Sequence, residues 1–157
     1  ISIATSLVTL VGMFYGANRM DLINKMVKYG ISRGVIIALS FSLFFFFFID
    51  NIIPVFTDDV QIIKLTIIYF KIMSFAYPFI TVGMSCSRIM QGMGHASPML
   101  VLTLFRVVII SASLAWYFVI FLGEPVHYAW VGSLISCIIT SFISIIWLRS
   151  IIRHSLN

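Results

Sequence analysis

Lys71, Ser74, Tyr77 and Pro78 fall within eight consecutive positions of one long apolar run, and Arg106 stands inside the next. A charge at hydrocarbon depth is costly, so it faces protein or water or reaches back to its own end of the helix. A proline inside a helix removes the backbone bond to the residue four before it, here Ser74, and bends the axis. A bend before Pro78 exposes local carbonyls to a cavity, a device of transport helices. Lys71, Ser74, Tyr77 and Arg106 are therefore the candidates for lining a polar cavity. Lys71 and Tyr77 are about 600° of helix rotation apart and share a face only if the axis bends. Two readings stay open at each charge. Lys71 lines a cavity or snorkels to the outer surface. Arg106 points inward beside Ser111 and Ser113 or reaches the inner headgroups.

Other chemistry is thinly represented. His95, His127 and His154 fall at the ends of different apolar runs, and no nucleophile stands with a base. Cys86 and Cys137 lie in apolar runs without CxxC spacing, which predicts buried, inert thiols. Thr57 is expected to cap a helix whose first turn holds Asp58 and Asp59, where the positive helix end favours acids. No enzyme, cofactor or metal site is expected.

The elements that carry these residues are membrane elements. Hydrophobic residues make up 61% of the 157 and charged residues only 10%, against about 25% charged in an ordinary soluble domain. Mean hydropathy is +1.12. The net charge of +5 is spread between apolar runs rather than gathered on a soluble face, so no nucleic-acid partner is expected. A span needs about 20 helical residues, and five are predicted, at about 1–17, 31–53, 62–90, 99–122 and 128–148. Between the first two, Leu22, Ile23, Met26 and Val27 face one way and Asn24, Lys25 and Lys28 the other. That pattern predicts a separate interfacial helix at about 21–29. The run from Phe41 to Phe48 faces all round its helix, for lipid contact and bundle packing. Gly12 and Gly16 permit close helix contact, and Gly132, Ser136, Thr140 and Ser144 form a small-residue ladder. Trp130 and Trp147 are interface anchors.

Basic residues orient the chain. Arg19, Lys25, Lys28 and Arg33 mark the first connection, Arg88 the third, and Arg149 and Arg153 the tail. Those regions are expected to be cytoplasmic, together with the C-terminus and the turn at Gln91, Gly92 and Gly94. Asp50, Asp58 and Asp59 mark the opposite side, with Glu124 alone in the fourth connection. An external start with neither Met nor a signal sequence predicts further protein upstream.

Several stretches then fall in a familiar order. They are Val11-Gly12-Met13-Phe14-Tyr15-Gly16-Ala17-Asn18 before the basic loop, Val55-Phe56-Thr57-Asp58-Asp59 at the next turn, Gln91-Gly92-Met93-Gly94 before Pro98, Arg106 beyond it, and Ala129-Trp130-Val131-Gly132 opening the last span. In these the sequence resembles the C-terminal part, about helices 8 to 12, of a multidrug and toxic compound extrusion (MATE) transporter. The resemblance implies an all-α integral membrane bundle, a partial C-terminal lobe of a twelve-helix transporter. It implies cation-coupled antiport of drugs or toxic organic compounds across the cell membrane, as part of a larger multi-pass chain. The coupling ion, sodium or proton, belongs to the complete transporter. Partners are then the lipid bilayer, an N-terminal lobe and a small organic cation. The sequence departs from the pattern in lacking an acid in the third span. A lipid-linked oligosaccharide flippase-like transporter and a non-transporting membrane scaffold are the alternatives.

Overall fold

The protein is described by a computed structural model covering residues 2–121, 123, 125 and 127–154. Five helices follow one another: α1 (Ser2–Gly16), α2 (Met20–Ile52), α3 (Val60–Gly92), α4 (Ser97–Phe121) and α5 (His127–His154). A short 3-10 turn, Ile53–Val55, closes α2 with Pro54. No strand occurs among the described residues. By length and composition α2 to α5 can each cross a membrane. α1, at 15 residues, falls below the about 20 that a span needs. Ile1, Leu122 and Glu124, which belong to the expected first span, fourth span and following turn, lie outside the described residues.

The stretch expected to form a separate interfacial helix, 21–29, is instead the first part of α2, which runs unbroken to Ile52. No proline interrupts it, and Gly30 is accommodated because Leu7 of α1 packs directly on its backbone. The two faces are as expected. Ile23 is buried, Met26 and Val27 pack on the core, and Asn24, Lys25 and Lys28 are exposed. The apolar face is covered by other helices of the bundle, which removes the need to lie flat in an interface. A second correction concerns the start of α3. Its cap is Asp59, whose Oδ1 accepts from the backbone N–H of Gln61 at 2.8 Å and of Ile62 at 3.2 Å. Thr57 sits one step back, its Oγ1 accepting from the Asp59 N–H at 3.3 Å.

α3 is the axis of the molecule, packing against α1, α2, α4 and α5. Its C-terminal turns supply Cys86, Ile89 and Met90, and Met93 just beyond its end joins them in a core that Leu7, Val11, Ile23, Leu102 and Leu148 complete. At the other end the aromatic run divides as its all-round pattern predicts. Phe45 stacks on Phe70 at 6.0 Å and Phe46 meets Phe75 edge-on at 5.6 Å. Phe41, Phe44, Phe47 and Phe48 point outward. Trp130 meets Tyr69 of α3 edge-on at 5.3 Å.

The turn after α3 uses its two glycines differently. Gly94 takes φ +86°, a left-handed conformation that suits glycine. The His95 N–H then reaches the Met90 carbonyl at 2.9 Å, and the Gly94 N–H reaches that of Gln91 at 3.0 Å. This is the Schellman closure of a helix end. Gly92 serves contact with α1. A Cβ there would stand 2.7 Å from the Val8 carbonyl oxygen and 3.0 Å from the Val11 Cβ. Gly12 sits opposite, against the Gly92 carbonyl, whereas Gly16 touches nothing.

Gly92→Ala is therefore expected to destabilise the detergent-solubilised chain by about 1–3 kcal/mol through overpacking against α1. Gly94→Ala should cost about 1–2 kcal/mol through its left-handed backbone. Thermal unfolding followed by tryptophan fluorescence measures both. A Gly92→Ala midpoint equal to the parent's would mean that α1 is not seated on this turn.

Candidate functional site

Pro78 lies inside α3 without ending it, and the helix continues to Gly92. The ring leaves the Ser74 carbonyl without its usual donor four residues ahead. The Ser42 hydroxyl of α2 donates to that carbonyl, and both serines are buried. The freed oxygen is thus closed off by a neighbouring helix, not opened to a cavity as the sequence leads one to expect. Ser74 turns its own hydroxyl back to the Phe70 carbonyl at 2.8 Å. In hydrocarbon an unbonded carbonyl costs several kcal/mol, so Ser42 is the complement of Pro78. Its signal in the sequence was a lone hydroxyl within an aromatic run.

Lys71 is not a free charge. Its Nζ lies 2.8 Å from Asp50 Oδ2 and 2.9 Å from Oδ1. Asp50, which marks the end of the second span in the sequence, stands within the last turn of α2. Both side chains keep substantial exposure, 37% and 50%. The pair presents a neutralised, hydrogen-bonded group on one flank of α2 and α3. Tyr77, two turns further along α3, is 37% exposed. Its carbonyl accepts from Thr81 Oγ1 at 2.9 Å.

Arg106 belongs to a different place. α4 is wound as a π-helix over Phe105–Ser111 and again over Tyr117–Phe121. Wide turns of this kind disturb the regular ladder of backbone bonds, and a side chain from α5 enters here: Ser136 Oγ donates to the Arg106 carbonyl at 2.6 Å. Ser136 is a rung of the small-residue ladder, all four of whose members are buried. Gly132 brings α5 so close that a Cβ would stand 3.0 Å from the Leu114 Cβ. Arg106 lines a cavity of about 60 Å³ between α3, α4 and α5. Arg88, Ser87, Thr103, Thr140 and Ser141 also line it, among apolar neighbours. Arg88 Nη1 donates to Gln91 Oε1 at 3.1 Å. Arg88 Nε and Thr140 Oγ1 are buried without a partner.

The four candidates do not form one site. Arg106 lines this cavity, Lys71 pairs with Asp50, Ser74 is locked to Ser42, and Tyr77 lines no part of the arginine cavity. Arg88 was legible as a basic residue of the turn, and its place opposite Arg106 was not. Thr140 was legible only as a small residue.

The MatE family model matches residues 1–117. The chain belongs to the MatE family. A probable multidrug resistance protein NorM from Thermotoga maritima is 21% identical over 148 residues, which cover 94% of this chain and 32% of that protein. Two solved transporters share the fold at 22% identity. A MOP superfamily transporter from Pyrococcus furiosus, described as having a binding pocket of reverse polarity and a different function, matches with a TM-score of 0.91 over 98% of this chain and 35% of its own. The MATE transporter ClbM in complex with Rb+ matches with a TM-score of 0.90 over 98% and 36%. The chain therefore spans about a third of the length of the proteins it matches. The helices are those of a multi-pass membrane protein of a transporter family, arranged as part of a MATE fold.

The Ser42–Ser74 bond carries a test by double-mutant cycle. Ser42→Ala orphans the Ser74 carbonyl and is expected to cost about 1–3 kcal/mol. Pro78→Ala supplies an N–H to the same carbonyl. In that background Ser42→Ala should cost well under half as much, a coupling visible in denaturation midpoints. Additive effects would show that the hydroxyl is not the substitute for the missing backbone donor.

Proposed function

We propose that this chain is the C-terminal part of a longer transporter that exports drugs or toxic organic compounds from the cell. Sodium or proton entry drives the export. The observation that carries the reading is the MatE match over residues 1–117, supported by a backbone that superposes on about a third of the length of two solved transporters. In alternating access the substrate site lies between two repeats, and each seals it from one side in turn. Half of such a cavity cannot do so. The partners are then the bilayer, an N-terminal lobe and a small organic cation, and the relative that binds Rb+ supports a coupling cation.

The placing of charge supports an orientation. The turn at Gln91, Gly92 and Gly94 and the tail with Arg149 and Arg153 face the cytoplasm of a multi-pass protein in the cell membrane. Asp58 and Asp59 face outside. The Lys71–Asp50 pair then lies toward the outer side, where its carboxylate is the acid nearest to a span interior.

One observation favours a second reading. Among the described residues, two arginines and no carboxylate line the cavity between α3, α4 and α5, a charge that repels a cation. A lipid-linked, phosphate-bearing substrate of a flippase-like transporter suits it better.

Efflux of a fluorescent cationic dye from cells tests the first reading. The longer chain should give gradient-dependent efflux, and residues 1–157 alone should give none. Robust efflux by the short chain without partners overturns the partial-lobe reading. Failure of the longer chain with every cationic dye moves the assignment to lipid-linked substrates. For topology, single cysteines at Gly92 and Asp58, in a background lacking Cys86 and Cys137, should be labelled from opposite sides of the membrane. Labelling from one side sinks the orientation.

A further inference from the structure

We infer that the cavity between α3, α4 and α5 is an anion site that takes a phosphate group. Its donors are Arg88 Nε, the Arg106 guanidinium and Thr140 Oγ1. The inference concerns binding and stands apart from the efflux reading, because its measurement needs no transport.

The first ground is charge. Arg88 and Arg106 line one small cavity, and no carboxylate among the described residues lines it with them. The other acids of the described residues are engaged or distant. Asp21 pairs with Arg19 at 3.1 Å, Asp50 pairs with Lys71 at 2.8 Å, and Asp58 and Asp59 stand at the opposite end of α3. Two arginines lining one small space present positive charge that an anion there would neutralise.

The second ground is the unmet hydrogen bonding. Gln91 fixes one arm of the Arg88 guanidinium and leaves its Nε–H buried and without an acceptor. Thr140 is 6% exposed, and its hydroxyl is likewise unpartnered. Buried polar groups in folded proteins are almost always satisfied, and two exceptions on residues that line one cavity single it out as a place for a bound group. A water could accept from Thr140 or Arg88 but would leave both positive charges standing. Among the described residues the Arg106 guanidinium makes a 4.0 Å approach to Cys137 Sγ and no ion pair, which leaves its fork to an incoming anion. A tetrahedral oxyanion accepts from several directions at once, and guanidinium forks fit its oxygens. The cavity, about 60 Å³, exceeds the roughly 10–15 Å³ that one water needs.

The third ground is depth. α3 has 33 residues, which is about 50 Å of helix against a hydrocarbon core of about 30 Å. Centred on that core, each end projects about 10 Å. Arg88 lies about 6 Å along the axis from Gly92, at headgroup level, and Arg106 about 14 Å from Ser97, within the hydrocarbon. The Arg88 end of the cavity thus lies toward the layer where lipid phosphates are found, on the basic side of the chain. A lipid headgroup and free phosphate offer the same chemistry to these donors, and the experiment separates them.

The natural full-length chain is purified in phospholipid-free maltoside micelles. Inorganic phosphate is titrated in one arm by calorimetry. In the other, phosphatidylglycerol or phosphatidylcholine is added and retention is read by native mass spectrometry. Saturable binding is expected in at least one arm. Phosphate binding identifies a free anion. Preferential retention of phosphatidylglycerol, with none of free phosphate, identifies a headgroup. Arg88→Gln with Arg106→Gln should weaken binding at least about tenfold, as befits charge-assisted bonds. Thr140→Val keeps the volume and should weaken it about three- to tenfold. If the arginine variants do not fold, Thr140→Val decides alone. Absence of binding in both arms, or affinity unchanged in Thr140→Val, overturns the site.

Discussion

A carbonyl oxygen with no water to turn to sets the terms for this bundle. Pro78 creates it at Ser74, inside the central helix, and Ser42 of α2 closes it. In water such a group would cost little. In hydrocarbon it must be bonded from within the protein. The donor must arrive at one depth and on one face, so the bond fixes the antiparallel register of α2 on α3. Neighbouring contacts agree with that register. Gly34 packs on Thr81 to one side of it, and Phe45 stacks on Phe70 to the other. The same register carries Asp50 to Lys71.

Charge is divided unevenly as a result. On the α2 flank, lysine and aspartate neutralise each other within hydrogen-bonding distance. On the opposite flank, between α3, α4 and α5, two arginines share a cavity without a carboxylate among the described residues. An ion pair spanning two helices is a fixture of the fold. Unpaired cations around a small space are a place for something else. The two sets of charged residues, similar as single charges in a hydrophobic run, therefore have different physical meanings.

Close packing of α5 makes the second arrangement possible. Gly132, Ser136, Thr140 and Ser144 give α5 a face without bulk, all of it buried. The backbone of α4 can then come within reach of Ser136 Oγ, which donates to the Arg106 carbonyl where α4 winds as a π-helix. Small residues serve tight contact here, and the Ser136 hydroxyl also meets a carbonyl of α4 that an alanine would leave without this donor.

The class of the protein was determined by composition and period. Long apolar runs with few charges admit only helices in a bilayer, because each helix satisfies its own backbone. The glycines of the turn after α3, the buried small-residue ladder and the divided aromatic run were all readable from spacing. What the sequence could not settle was partnership between distant residues. Whether 21–29 lies on a membrane or packs in a bundle depends on α1 and the core being there to cover its apolar face. Asp59 in place of Thr57 as the cap of α3 turns on one or two backbone angles. Above all, Lys71 and Arg106 read alike as lone charges. Only the packing of helices far apart in sequence gave one an aspartate, and the other a second arginine and an unpaired threonine.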